Sequence, residues 1–123
     1  MSDQLEYDTD ALPEALVARL RGDVDMAVTP ELGEALLDAV DEHAAGCLVV
    51  DLGSVDYVDS SGIELLFRLH AALTAGGSDL IVVAPPGSNA ARLLGLVAMS
   101  DIGEVRGTLA DALDRCSGRR ETT

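Results

Sequence analysis

Two short apolar runs, CLVVDL at residues 47–52 and DLIVVA at residues 79–84, bracket a stretch of helical periodicity. Each run has strand length and is apolar at nearly every position, as a central strand reads when both faces of its sheet are covered. Between them Ile63, Leu66, Phe67, His70 and Leu73 fall on one helical face, and Gly76-Gly77 ends the pattern. A strand, a helix and a second strand in this order belong to an α/β sheet with helices packed over it.

The flanking segments extend the same plan. LVARLRG, Leu16 to Gly22, alternates apolar and polar residues as a half-buried strand does, and residues 3–10 supply a weak edge-strand pattern across the ALPEA turn. Thr29-Pro30-Glu31 is a helix-start signal, with Thr29 as the cap and Pro30 at the first position. Leu32, Leu36, Ala39, Val40 and His43 follow at helical spacing, and Gly46 stops that helix. PPGS breaks the 79–84 strand before a helix carrying Leu93, Leu94 and Val97. EVRG leaves room for a short strand, and Thr108 three residues before Asp111 opens a last helix, TLADALDRC. Residues 117–123 are expected to form a disordered tail. The expected architecture is one α/β domain over residues 1–123, with a mixed, mainly parallel sheet of four or five strands and about four helices.

Charge narrows the function. Eight basic residues against 22 acidic ones give a net charge of −14, a field that repels phosphate backbones and anionic lipid. No nucleic acid and no membrane are expected as partners. All eight basic residues are arginine, so no P-loop or Schiff-base lysine is present, and Tyr7, Tyr57 and Phe67 make no stacking platform for bases. The acidic start lacks a signal-peptide pattern, and no apolar run approaches the roughly 18 residues a membrane span needs, so a cytoplasmic location is expected. Cys47 and Cys116 have neither CxxC nor metal-ligand spacing and read as two buried or incidental thiols.

The stretch VDSSG, Val58 to Gly62, follows a strand and opens a helix, the place where α/β sheets gather sites. On spacing alone the default is structural. Ser61-Gly62-Ile63-Glu64 fits a capping box in which the Ser61 hydroxyl accepts from the Glu64 N–H and the Glu64 carboxylate reaches back. A helix N-terminus also tolerates phosphate, because unpaired N–H groups and the positive dipole end stabilise added negative charge. A hydroxyl there can therefore be a phosphorylation switch.

With these residues in view the chain resembles the STAS domains, specifically the anti-sigma factor antagonists of bacteria. LRGDVDMAVTPELGEALLDAV resembles the family's second strand, acidic turn and first helix, and CLVVDLGSVDYVDSSGIELL its central strand and phosphorylation motif. LIVVAPPGSNAARLLGL and TLADAL follow in the usual order, so the resemblance spans about residues 14–115. It implies a partner-switching protein and not an enzyme. The unphosphorylated form would bind an anti-sigma factor of the histidine-kinase-like ATPase type and free the sigma factor. The kinase would then phosphorylate Ser61, and a serine phosphatase would restore it. Asp23, Asp25, Asp59, Ser60, Gly62, Ile63 and Glu64 would form the partner-binding face, with no cofactor of its own, since ATP and magnesium would belong to the kinase. Many relatives have a small residue where this chain has Glu64, a departure that bears on partner choice.

Rival readings of the same residues are a hard-cation site on Asp23, Asp25, Asp56 and Asp59, and serine hydrolysis using Ser60 or Ser61 with His43 or His70. The first lacks an EF-hand spacing and the second lacks GxSxG. A STAS scaffold or ligand-binding module outside sigma-factor control is the alternative within the same fold.

Overall fold

The computed structural model describes residues 5–95 and 103–121. Five strands form one sheet in the order of the chain: β1 (Glu6–Ala11), β2 (Leu16–Val24), β3 (Cys47–Val58), β4 (Asp79–Val83) and β5 (Glu104–Arg106). β1 runs antiparallel to β2, and every later pair is parallel. Helices α1 (Thr29–His43), α2 (Ser60–Ala75) and α3 (Asn89–Leu94) connect the parallel strands, and α4 (Leu109–Glu121) follows β5.

This strand order decides where the helices lie. Each crossover from β2 to β5 steps to the next strand in the same direction, and crossovers between parallel strands are right-handed in about 98% of cases. Three connections of one hand and one direction must put α1, α2 and α3 on the same face. Period-2 alternation supplies the matching apolar set from the strands: Leu16, Ala18, Leu20, Leu48, Val50, Leu52, Leu80 and Val82 meet Leu32, Leu36, Leu66, Leu69 and Leu94 in the main core. The intervening residues Val17, Cys47, Val49, Ile81 and Val83 point the other way, where α4 covers them with Ala112 and Cys116.

Several local details differ from the sequence reading. Thr29 is not a cap. It is buried inside the first turn of α1, Val28 is the cap residue, and the helix ends at Ala44 in the left-handed conformation (φ 50°), two residues before Gly46. α2 buries Leu65 and Leu69 besides Ile63, Leu66 and Leu73, because it is pressed between the sheet and α1 and so buries more than one narrow stripe. α4 continues helical through Glu121, past the point where a tail was expected. Thr108 Oγ1 caps the Asp111 N–H at 3.1 Å, and Arg115 at the end of the second turn is bound to Glu104, so the helix is secured beyond its start. Val97, expected on the third helix, lies outside the described residues.

The cysteines depart furthest from expectation. Cys47 at the start of β3 and Cys116 on α4 form a disulfide with their Cα atoms 6.1 Å apart. They are not incidental thiols. Sixty-nine residues separate them, and only the docking of α4 on the back of the sheet brings them within bonding range, so no local spacing announces the pair.

Candidate functional site

β3 is the longest strand, and its last third leaves the body of the sheet. β4 pairs with it only from Cys47 to Asp51, whereas β2 accompanies it to Val58. Two register shifts lie on the way. Arg19 to Arg21 spans two positions against three from Asp51 to Ser54, and Gly22 to Asp23 spans one against two from Val55 to Tyr57. Each shift inserts one extra residue into β3, and bulges of this kind bend a strand and increase its twist. The result is a two-stranded ribbon that carries the turn after β2 and the turn after β3 to one place. GSVDYV was not legible as strand because its partner, Gly22–Val24, is itself a polar segment.

At the tip of the ribbon the two turns are tied together. The Asp59 N–H donates to the carbonyl of Val24 at 3.3 Å, which puts Asp59 beside the residue between Asp23 and Asp25. Asp23 lies opposite Tyr57 in the register, and Asp25 Oδ1 accepts from the Ala27 N–H at 3.0 Å, closing the turn that starts α1.

Asp59 is the N-cap of α2. Its Oδ1 accepts from the Ser61 N–H at 2.9 Å and from the Ser61 hydroxyl at 2.5 Å. The capping box expected between Ser61 and Glu64 is therefore not formed. Two positions before Ser61 a carboxylate is available, and an ionised acceptor binds N–H and O–H donors about twice as strongly as a neutral hydroxyl does. Glu64 is exposed on the helix surface. Ser60 is exposed and Ser61 half-buried.

Gly62 and Ile63 belong to the support beneath the site. Ile63 is buried in the main core, and a Cβ at Gly62 would stand 2.6 Å from Val58 Cγ1 and 3.2 Å from Val24 Cγ1. The glycine lets the first turn of α2 lie directly on the ends of β2 and β3. Of the expected partner-facing set, Asp23, Asp25, Asp59, Ser60 and Glu64 reach the surface at least in part, while Gly62 and Ile63 hold the helix in place.

Two residues absent from that set stand out around the tip. Met26 is 74% exposed and Tyr57 53% exposed, the largest apolar side chains open to solvent near the site. Met26 sits in the acidic turn, and the second bulge turns Tyr57 outward. Exposed methionine and aromatic side chains are enriched at protein interfaces, and a methionine directly after the Asp23-Val24-Asp25 turn was the available signal in the sequence. Beside Tyr57 a cavity of about 340 Å³ opens between β3 and α3, lined by Val58, Asn89, Arg92 and Leu93. Asn89 Nδ2 donates to the Asp56 carbonyl at 3.1 Å and fastens α3 to the ribbon.

Neither rival arrangement of these residues assembles. Among the described residues no three acidic, histidine or cysteine side chains converge as a metal site would require. His43 lies at the opposite end of the sheet, beside Cys47, and His70 lies beside Asp79 at the start of β4, so neither histidine faces Ser61. No helix among the described residues is long and apolar enough to cross a membrane.

The family model described as "STAS domain" matches residues 6–112. Among solved structures, an anti-sigma factor antagonist from Mycobacterium paratuberculosis is 24% identical, with a TM-score of 0.77 over 93% of this chain and 95% of that one. The anti-sigma factor antagonist SpoIIAA in its unphosphorylated form is 21% identical, with a TM-score of 0.70 over 92% of this chain and 99% of that one. The Bacillus cell-fate determinant SpoIIAA in its phosphorylated form is 19% identical, with a TM-score of 0.64 over 89% and 98% of the two chains.

Proposed function

The chain belongs to the STAS family, and from that premise we propose that it is a cytoplasmic anti-sigma factor antagonist that works by partner switching, with Ser61 as the phosphorylated residue. The unmodified protein binds an anti-sigma factor that is itself a serine kinase of the histidine-kinase-like ATPase type, which releases the sigma factor. ATP and magnesium are bound by that kinase, and a serine phosphatase reverses the modification.

The observation that supports this reading best is the pairing of Ser61 with Asp59 at the mouth of α2. While the hydroxyl is free it donates to the carboxylate and the tip of the ribbon is compact. Esterification removes that proton and adds about −1.5 to −2 charges. A carboxylate and a phosphate then stand on adjacent atoms, with Asp25 and Asp23 across the Val24 contact. The α2 N-terminus accepts the added charge, so the fold survives. The interface does not survive, because like charges forced together across it cost several kcal/mol and about 2.7 kcal/mol is already a hundredfold in affinity. Met26 and Tyr57 supply the apolar contact that the unmodified face offers around this acidic centre.

The test is capture of partners from native lysate on unmodified bait, followed by ATP and magnesium, with mass spectrometry of both the released protein and the bait. The expected outcome is release of an anti-sigma factor kinase and phosphate on Ser61. Ser61→Asp should weaken that kinase's binding about a hundredfold or more, and Ser61→Ala should bind and resist release. Equal binding of Ser61→Asp and the unmodified protein, or phosphate on another serine, overturns the assignment.

A further inference from the structure

We propose that the Cys47–Cys116 bond is a thiol–disulfide exchange site, opened by a dithiol that enters the cavity beside it, and that its redox state sets how firmly α4 is docked on the back of the sheet. The inference stands apart from Ser61, which follows the other end of β3.

Two observations and the proposed location carry it. First, the bond is reachable. Both cysteines are 1% exposed, yet both line a cavity of about 340 Å³ whose other walls are the Ala11–Leu16 turn and the His43–Gly46 turn. That volume lies at the lower end of the range, roughly 300–1,000 Å³, that holds small organic molecules, and turns are the segments that yield most readily. Second, among the described residues the noncovalent contacts that hold α4 on the sheet are few. Its buried residues among those described are Ala112 and Cys116, with Leu109 and Leu113 half-covered, and its polar tie is the ion pair from Arg115 to Glu104, whose side chains are 39% and 37% exposed. The proposed cytoplasmic location adds a third ground, which rests on that reading: where glutathione and thioredoxin keep thiols reduced, a protein disulfide is commonly a cycling or redox-sensing one.

The exchange balances within itself. A thiolate of the dithiol attacks one of the two sulfurs, the S–S bond breaks, and the other cysteine leaves as a thiolate that takes up a proton. The second thiolate of the reagent then attacks its own sulfur in the mixed disulfide and releases the remaining cysteine. The protein gains two electrons and two protons, and the dithiol becomes a cyclic disulfide. α4 then keeps only its noncovalent contacts over Val17, Val49, Ile81 and Val83.

The experiment uses the full chain without denaturant, in oxidised and reduced dithiothreitol, with a parallel arm in which a thioredoxin-type protein dithiol replaces the small one. Thiols are counted by alkylation and mass spectrometry, and hydrogen exchange is followed by segment. No alkylated cysteine is expected in the oxidised state and two in the reduced state. After reduction residues 109–121 should exchange about tenfold faster and ahead of residues 60–75. Reduction by dithiothreitol alone assigns a small dithiol, and reduction in both arms assigns a protein dithiol as well. The double variant Cys47→Ser/Cys116→Ser should show the reduced pattern with or without reagent. Labelling only in denaturant, free thiols in the oxidised state, or residues 109–121 exchanging in step with 60–75 after reduction overturns the proposal. If the double variant does not fold, the thiol count and the exchange of the natural chain decide alone.

Discussion

The two faces of the sheet are built differently although the strands between them are equally apolar. On the front, three crossover helices enclose a core that includes Leu36, Leu48, Leu69 and Leu94, each no more than 1% exposed. On the back, among the described residues, α4 covers Val17, Val49, Ile81 and Val83 with Ala112 buried, Leu109 and Leu113 half-covered and Cys116 as a covalent contact, and Leu12 and Ala15 before β2 pack beside it. Burial stabilises by roughly 25 cal/mol per Å² of apolar surface, so helices that bury leucines fully dock more strongly than one whose leucines are only half-covered. The front is held by deep packing and the back by lighter packing and a bond. The difference follows from topology, since every right-handed crossover was already committed to one face.

Removing the bond should break the comparison hardest. In the chain-entropy account a link that closes a loop of about 70 residues stabilises by about 4 kcal/mol, so Cys47→Ala/Cys116→Ala should lower the urea midpoint by that amount divided by the m-value. A cut in the front core should come close behind. Leu36→Ala leaves a cavity at a fully buried position and should cost about 3 kcal/mol in the same measurement, with every segment losing exchange protection together. That cooperative loss separates the packed face from the clasped one.

Gly62→Ala sharpens the picture at the site. Its Cβ would meet Val58 at 2.6 Å and Val24 at 3.2 Å, so about 1–3 kcal/mol of overpacking is expected in thermal or urea unfolding. Its thiol count should stay at zero, because the strain lies away from the clasp.

The smallest effect concerns the polar tie of α4. Burial alone would raise the Glu104 carboxyl, but hydrogen bonds to Arg106 and Arg115 and the charges of both arginines outweigh it and hold the group below its ordinary value of 4.5. A depressed carboxylate contributes stability that is fully present above its unfolded pKa and is lost as pH falls through the folded one. Glu104→Gln should therefore cost about 0.5 kcal/mol at pH 7 and progressively less below about pH 4.5. A stability difference that does not shrink on acidification would remove the ion pair from the account.

Much of this was legible before the structure. The order of the strands and helices followed from periodicity, including the weak edge strand, which the structure pairs with β2 from Glu6 to Ala11. Asp23, Asp25, Asp59 and Ser61 were named as one cluster, and the Val24–Asp59 contact brings the two turns together. What escaped were effects of competition and of distance. Asp59 displaced the Ser61–Glu64 capping box because a carboxylate two residues earlier is the stronger acceptor. The end of β3 escaped because a polar strand is recognisable only beside its partner, and the disulfide because its halves lie 69 residues apart.

The sequence by itself determined the layer architecture, the central strands and a hydroxyl at a helix mouth within a strongly acidic chain, since these depend on periodicity, turn chemistry and charge, which are local. Only the tertiary structure decided which face received three helices and which received one, where Tyr57 and Met26 point, and that Cys47 finds Cys116. Those outcomes depend on chain crossings and register, which couple residues that are far apart in the chain and leave no mark in any short stretch of it.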